Sequence, residues 1–583
     1  MLRLLKYLNK KEWGLTIAAL ALVVLQVALD LSLPDYMEEI TELVETEGST
    51  MHEILHAGRS MLLAALGSLC CAVLTVLLAA RAGALFAAEL RERVFSKVEG
   101  LSGEEISRIT AASLITRTTG DVQQLQLAFV LGIEVLVKAP IKAIWAIVKV
   151  CNGDLHWGAL TALGTVIFSL ITALLILLCL PKFRRMQRHS DDLNRITREN
   201  IAGIHAIRAQ AAEKHEEHRF EHVNEKLTKT HLFTAQAMST LSPAMQLVNN
   251  LLTVACYWVG VMLINAAPAA DRLGLFSGTV STVSYAMQIF TAFVLFATVS
   301  TALPRAAVSA KRVREVLEAP VALREGSVCH SDAESVGCVE LRDVSFSHSD
   351  GRVALHSLSL SAKKGETVAL IGATGCGKSV ALQLVERLFD ATGGEVLVDG
   401  VNVKDYCTSA LHSKLGYVDQ EPFLFRGTVR ENVAFGNGGA TYISDEALTA
   451  LFAEIDAPHF ADTLPGGWDS AVDEGGTNLS EGQLHRIALA RALCSDPEIL
   501  VLDDFFSAFD RLEGARLRRA LRENRKDLTV LIAAQRVATV KRADRIIVLV
   551  DGNVVGSGTH EELLVQCEPY RALAAAQSEE VFQ

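Results

Sequence analysis

Four stretches of the chain, residues 61–80, 159–180, 243–269 and 273–303, run without a single charged side chain and are predominantly apolar. Each is long enough to cross about 30 Å of hydrocarbon at a rise of about 1.5 Å per residue, so each predicts a membrane helix. Two weaker segments join them: 14–33, interrupted by Asp30, and 129–151, interrupted by Glu134, Lys138, Lys142 and Lys149. The pattern therefore predicts six spans. After the first segment the chain continues as Leu-Pro-Asp-Tyr at 33–36 with no small-residue cleavage site, which marks a retained helix rather than a secretory signal. That span begins at Gly14, which leaves no room ahead of it for an N-terminal peptidase domain and speaks against a leader-cleaving peptide exporter.

The polar stretches between spans are too long for simple loops. Residues 83–127 separate the second and third spans, and 181–240 the fourth and fifth. The second alternates charge with apolar groups at helical spacing, as in Leu193, Ile196, Ile201, Ile204 and Ile207, so both read as membrane helices prolonged into the cytosol. Turns are expected at 114–121 and near 206–209. After Arg314 the periodicity fades, and 319–337, with Pro320, Gly326, Ser327, Ser331 and Ser335, reads as a linker. Alternating short strands then appear at 339–346, 367–371 and 394–398. The prediction is an all-α membrane domain over 1–318 followed by an α/β domain over 338–583.

Charge sets the orientation. Arg3, Lys6, Lys10 and Lys11 precede the first span, Lys182, Arg184, Arg185 and Arg188 follow the fourth, and Arg305, Lys311, Arg312 and Arg314 follow the sixth. Asp35, Glu38, Glu39, Glu42, Glu45 and Glu47 crowd the first outer loop. Lysine and arginine gather on the cytoplasmic side, so both termini are expected there, in a multi-pass protein of the plasma or inner membrane. The formal net charge of -12 offers no basic surface for nucleic acid. The 11 cysteines lie scattered without paired spacing, which predicts neither disulfides nor zinc.

The chemistry lies in the second half. Residues 372–379 read Gly-Ala-Thr-Gly-Cys-Gly-Lys-Ser, 479–483 read Leu-Ser-Glu-Gly-Gln, and 499–504 read Ile-Leu-Val-Leu-Asp-Asp. A phosphate-binding loop needs glycines so that backbone N–H groups wrap the phosphates, a lysine for the outer phosphates and a hydroxyl for magnesium. Gly372, Gly375, Gly377, Lys378 and Ser379 supply these. Asp503, closing a hydrophobic strand, is placed to hold the metal.

Six spans with cytosolic extensions, then the P-loop, the Leu-Ser-x-Gly-Gln run and the acid-tipped strand resemble a half-subunit of an ABC transporter of the exporter fold, over nearly the whole chain. The resemblance implies ATP and Mg2+ as ligands. It assigns nucleotide contacts to His348, at the adenine-stacking position, and to 372–380 (Gly372, Ala373, Thr374, Gly375, Cys376, Gly377, Lys378, Ser379, Val380). Ser379, Gln420 and Asp503 would ligate magnesium, Gln420 being the Q-loop residue. Glu474 matches the cross-talk loop, and Ser507, Ala508, Phe509 and Asp510 the D-loop. Ser480, Glu481, Gly482 and Gln483 would complete an ATP site on a second chain, although Glu481 stands where the family has glycine.

Two departures change the mechanism expected. The family's glutamate base is Asp504 here, and its switch histidine is Gln535. The resemblance places the hydrolytic roles on Asp504, Gln535 and Gln420, but aspartate is a methylene short and glutamine cannot carry a proton. The same double replacement resembles the degenerate partner of heterodimeric exporters. The expectation is export of a small molecule, drug-like compound, lipid or peptide by a heterodimer whose second half-transporter retains glutamate and histidine. The alternatives are a homodimeric exporter with slow ATPase, an importer on the exporter fold, or an ATP-gated regulator.

Other features carry weaker readings. Lys138, Lys142 and Lys149 share a helical face, and with Trp145 they are candidates to line a cavity for an anionic or zwitterionic substrate, against the plainer reading that Lys138 and Lys149 snorkel to the interfaces. Gln26, Asp30, Gln246, Asn249, Asn250 and Gln288 are further polar groups within spans, most of which read as hydrogen-bonding glue between helices. His215, His218 and His222 share a face that reads as solvated helix rather than a metal site. Cys376, at a helix N-terminus, is a candidate for attack by a thiol reagent, which should block nucleotide binding.

Overall fold

The computed structural model describes residues 2–579 apart from 47–48, 154, 269–270, 301–302, 321–322, 330–335 and 349. The chain divides into two compact units, Met1–Glu99 with Ile109–Ala319, and Gly100–Arg108 with Pro320–Gln583. Ser331 and Ser335 of the expected linker lie outside the described residues.

The first unit is helical: α1 (Lys10–Glu45), α2 (Met51–Glu99), α4 (Ala111–Thr116), α5 (Val122–Leu131), α6 (Lys138–Gly153), α7 (Leu155–Ala202), α8 (Ile204–Ala209), α9 (Glu213–Ala266), α10 (Arg272–Ser300) and α11 (Leu303–Leu317), with α3 (Gly103–Ile109) at the boundary between units. Five helices among the described residues are long and apolar enough to cross a membrane, Lys10–Val44, Met51–Glu99, Trp157–Ala202, Glu213–Ala266 and Arg272–Ala297. The segment 129–151 is helical as well, through the end of α5, a π-turn over Gly132–Val137 and α6. It is not among the five, because α6 is 16 residues long and carries Lys138, Lys142 and Lys149. Val27, Leu31, Trp157, Phe168, Met245 and Tyr285 form the unit's buried center.

The break after α2 falls earlier than 114–121. Residues 114–121 are helical, because Thr116, Thr118 and Thr119 turn their hydroxyls back onto the carbonyls of Ala112, Leu114 and Ile115, a local bond that a helix tolerates. The chain turns at 100–102, where Ser102 N and Oγ both donate to Glu105 Oε2, at 2.9 and 3.1 Å. That Ser-x-x-Glu spacing is a capping signature readable in the sequence. The other long extension turns around α8, at 203–212.

The second unit is α/β. In order it comprises β1 (Val339–Ser347), β2 (Val353–Ala362), β3 (Thr367–Ile371), α12 (Lys378–Val385), β4 (Gly393–Val398), β5 (Val401–Asn402), α13 (Thr408–Lys414), β6 (Leu415–Val418), β7 (Gly427–Thr428), α14 (Val429–Ala434), α15 (Asp445–Glu454), β8 (Ala471–Val472), α16 (Glu481–Leu493), β9 (Ile499–Asp503), α17 (Arg511–Asn524), β10 (Thr529–Ala534), α18 (Val537–Val540), β11 (Arg545–Val550), β12 (Asn553–Gly558), α19 (His560–Gln566) and α20 (Glu568–Glu579). A six-stranded sheet runs β12-β11-β3-β10-β9-β6, and a four-stranded antiparallel sheet runs β2-β1-β4-β5. In the larger sheet β11, β3, β10, β9 and β6 are parallel. Its strands are apolar on both faces, since side chains alternate and both sides are covered. Ala369, Ile371, Leu502 and Ile532 enter one core, and Val368, Leu370, Val501 and Leu531 the other.

Disulfides were not expected from the cysteine spacing, but Cys329 and Cys407, 78 positions apart, are joined. The pairing is tertiary: Val328 bridges Tyr406 in parallel, Val328 N donates to Asp405 O at 2.9 Å and Cys407 N to Val328 O at 2.9 Å. Part of the linker is thus tied into the second unit by an isolated parallel bridge.

Candidate nucleotide site

The parallel strands β3, β10, β9 and β6 end at one edge, and the loops leaving them carry the residues singled out by sequence. This is where open α/β sheets place ligands. After β3 the P-loop enters α12 with Gly375 at φ +83 and Gly377 at φ +99. Gly377 must be glycine twice over, for the left-handed backbone and because a Cβ would stand 2.5 Å from Ala354 O. Lys378 is 6 % exposed, with Nζ donating to Gly372 O and Ala373 O at 2.9 Å each. Cys376 is buried with Sγ 3.7 Å from that Nζ, so a thiol reagent reaches it only when the loop opens. Val380 packs into the core behind the loop.

β9 delivers the acidic pair. Asp503 accepts from Ser379 Oγ at 3.0 Å, and burial pushes its carboxyl above the usual range, against the pull of that hydroxyl. Asp504 adopts the left-handed backbone, φ 42, which aspartate tolerates better than most residues. Its N–H donates to Ala533 O at 3.0 Å, tying it to the end of β10. Its carboxyl is raised chiefly by burial, with Lys378, Gln535 and Arg536 pulling the other way.

Gln535, just past β10, joins two of these loops. Its Nε2 donates to Asp504 Oδ2 at 2.9 Å, and its Oε1 accepts from Thr374 Oγ1 at 3.2 Å. One amide therefore links the P-loop to the acid-tipped strand. The backbone on either side of Arg536 is clamped by α20, where Gln577 accepts from Val537 N at 2.7 Å and donates to Gln535 O at 2.9 Å. Nothing in the sequence around Gln577 signals this.

The remaining candidates sit farther out. Gln420 follows β6 and is exposed, its N–H donating to Asp419 Oδ1 at 2.8 Å. His348 leaves β1 with its ring edge-on to Phe346, centroids 5.1 Å apart. Ser480 caps α16, accepting from Gln483 N, while Gln483 Oε1 accepts from Ser480 N. Glu481 is exposed in the first turn. Among the described residues, the hydrogen bonds of Ser480 and Gln483 stay within that loop and with Thr463 Oγ1, and none reaches the P-loop. Glu474 starts a short 3-10 turn. Ser507 bonds back to Asp504 O, and Asp510 caps α17.

In the membrane unit Lys142 is paired with Asp30 at 3.2 Å, and Asp30 also accepts from Ser68. Lys149 is paired with Asp35 at 2.6 Å. Lys142 thus offers no free positive charge to an anionic cargo. Trp145 packs against the buried center of the unit, and Lys138 lies one turn before Lys142. Among the described residues no group of acidic, cysteine and histidine side chains is gathered to hold a metal.

Behind the P-loop helix, Glu386 is 6 % exposed, its Oε1 has no partner, and burial pushes its carboxyl up to about 8. The fold keeps a proton that the unfolded chain releases above pH 4.5, so this residue's contribution to stability falls as pH rises from there toward 8, by about 1.4 kcal/mol per pH unit at most. Glu386→Gln should therefore melt above the parent at pH 8, and the gap should close toward pH 5. Melting of the full chain followed across that range checks it; a pH-independent gap would place the effect elsewhere.

Residues 355–507 match the family described as ABC transporter, and residues 16–293 the family described as ABC transporter transmembrane region. An uncharacterized ABC transporter ATP-binding protein of Mycobacterium tuberculosis is 35% identical over 551 residues, 94% of this chain and 93% of its own length. The ATP-dependent lipid A-core flippase of Syntrophus aciditrophicus is 28% identical over 515 residues, 88% of this chain and 83% of the flippase. Among solved structures, a bacterial Atm1-family ABC exporter with ATP bound aligns with a TM-score of 0.80 at 22% identity, covering 98% of this chain and 99% of that one. At that identity the likeness is one of fold.

Proposed function

Because the chain belongs to the ABC transporters, with an exporter-type membrane domain fused to an ABC ATPase domain, we propose that it is the impaired-site half of an ATP-driven heterodimeric exporter. The observation that carries this reading is the amide of Gln535 held between Thr374 and Asp504. A glutamate at 504 would carry its carboxylate one methylene farther toward the attacking water, and a histidine at 535 could hold the outer phosphate. Here one oxygen of the shorter carboxylate, Oδ2, accepts from an amide that neither accepts nor releases a proton at neutral pH.

Binding needs none of that. The backbone N–H groups of 372–379, the positive end of α12 and Lys378 suit a triphosphate. The Ser379 hydroxyl and Asp503 carboxylate, 3.0 Å apart, are hard oxygen donors of the kind Mg2+ takes, with Gln420 as a third. When bound, that ion supplies charge neutralization to the phosphates. Ser480, Gly482 and Gln483 would complete the partner chain's site. The reading places the chain in a cell membrane with both termini cytoplasmic, as the distribution of lysine and arginine supports. The cargo is a small molecule, drug-like compound, lipid or peptide, and the pairing of Lys142 with Asp30 removes that lysine as a free counter-charge for an anionic one.

The test is phosphate release from Mg-ATP by the full chain in nanodiscs, alone and mixed with a half-transporter that retains the glutamate and histidine. ATP binding with negligible release alone, and turnover on pairing, is the expected result. Robust turnover by the chain alone would favor a homodimeric pump instead.

A further inference from the structure

Behind the loops of Asp504 and Gln535, within the second unit, a cavity of about 540 Å³ lies against α17. Its floor includes Leu502, Phe506, Phe509 and Ile532, all in the apolar core. Its rim is cationic. Nine lysines and arginines line it against only two carboxylates, Asp510 and Glu523, in a chain whose formal charge is -12. Both carboxylates are committed: Asp510 caps α17, and Glu523 pairs with Arg519 at 2.7 Å.

Some of the cations are neutralized, Arg522 by Asp544 at 2.7 Å and Arg525 by Glu454 at 2.8 Å. Among the described residues six rim cations, Arg511, Arg518, Lys526, Arg536, Lys541 and Arg542, have no carboxylate within ion-pair distance; of these Arg518 is the one set into the apolar wall. Arg518 lies over the Phe506 ring at 4.8 Å and reaches only the carbonyl of Ala538, at 3.5 Å. Burial and the like charge of Arg542 both push its guanidinium below the usual range. Both side chains line the apolar pocket, Arg518 half-buried and Arg542 exposed, without a carboxylate to balance them.

We propose that this cavity binds an amphipathic anion, an apolar body seated on the phenylalanine floor with a carboxylate or phosphate head between Arg518 and Arg542. Planar guanidinium groups pair well with either head, and the cavity is of a size that holds small ligands. The occupant would touch Phe506, Phe509 and Asp510 on one side and Arg536, Ala538 and Thr539 on the other. Those segments directly follow Asp504 and Gln535, so a ligand here acts on the nucleotide site from behind. The inference rests on the second unit alone and does not depend on the proposed pairing of chains.

The test uses the full chain in zwitterionic phosphatidylcholine nanodiscs, photolabeled with diazirine-bearing octanoate, octyl phosphate and octyltrimethylammonium. Labeled peptides are then mapped by mass spectrometry. One or both anions should label residues 502–542, and the cation should not; carboxylate against phosphate labeling identifies the head the site takes. Arg518→Ala with Arg542→Ala should cut the labeling by at least about tenfold, with ATP binding unchanged as the check on folding. Arg518→Lys with Arg542→Lys should keep most of it. Equal labeling by the cation, or labeling indifferent to the alanine pair in a variant that still binds ATP, would overturn the proposal.

Discussion

Asp504→Glu combined with Gln535→His should raise ATP turnover by the purified chain by about 10²- to 10⁴-fold, the range of a positioned general base. The backbone is already in place, since Asp504 N–H is anchored to Ala533 O at 3.0 Å. What is missing is one methylene and a proton acceptor. Glutamate in the left-handed conformation at φ 42 costs about 1 kcal/mol more than aspartate, small against the expected change in barrier. The single variants should fall well short of the pair. With Asp504→Glu alone, Gln535 still donates to the carboxylate; with Gln535→His alone, the carboxylate is still short. Residues that act as a unit are not additive. Phosphate release, measured beside ATP binding, reads the result. A double variant that binds ATP normally and hydrolyzes no faster would sink the account and move suspicion to Glu481.

Arg491→Leu should cost the second unit about 3–5 kcal/mol, because three acceptors lose their donor together. Arg491 leaves α16, the helix that Ser480 caps, and donates to Asn432 O at 2.9 Å, Asn432 Oδ1 at 2.7 Å and Phe423 O at 2.8 Å. Its guanidinium also lies over the Phe425 ring at 5.6 Å. Asn432 in turn holds Phe425 N and O, so a single side chain fastens the segment after Gln420 to the helix of Ser480. Burial pushes Arg491 down to about 10, which still leaves it charged at neutral pH. Arg491→Lys should not rescue it, because an ammonium cannot reproduce a planar fork aimed at three separate oxygens. With domain stabilities of about 5–15 kcal/mol, the leucine variant should denature at much lower urea. A midpoint within the equivalent of about 1 kcal/mol of the parent would mean the network is dispensable.

The two networks behind these predictions differ in how far the sequence reveals them. The P-loop glycines, the acid-tipped strand and the capping serine are local, and each is legible because its chemistry depends on neighbors a few positions away. The absence of histidine at 535 is legible too, but what Gln535 does instead is not, since Thr374 lies 161 positions from it. Arg491 meets Phe423 across 68 positions and Gln577 meets Gln535 across 42, and no spacing rule announces either. The turn at 100–102 was readable from Ser102 and Glu105. The threonine-rich run at 116–119 concealed it, because turn-forming composition does not exclude a helix when the hydroxyls bond backwards. Charge patterning in 129–151 likewise marks an unusual segment without saying that Asp30 answers Lys142.

The bond between Cys329 and Cys407 divides the nucleotide site covalently. His348 and all of 372–380 lie inside a closed ring of chain, while Gln420, Asp503, Asp504 and Gln535 lie outside it. While that bond is closed, His348 and the P-loop stay within one ring even in an unfolded chain, a restriction worth roughly 4.5 kcal/mol of loop entropy for a ring of this size. The residues that would govern hydrolysis have no such tether. Loss of structure can therefore separate the two sets, leaving the grip topologically confined and the trigger free.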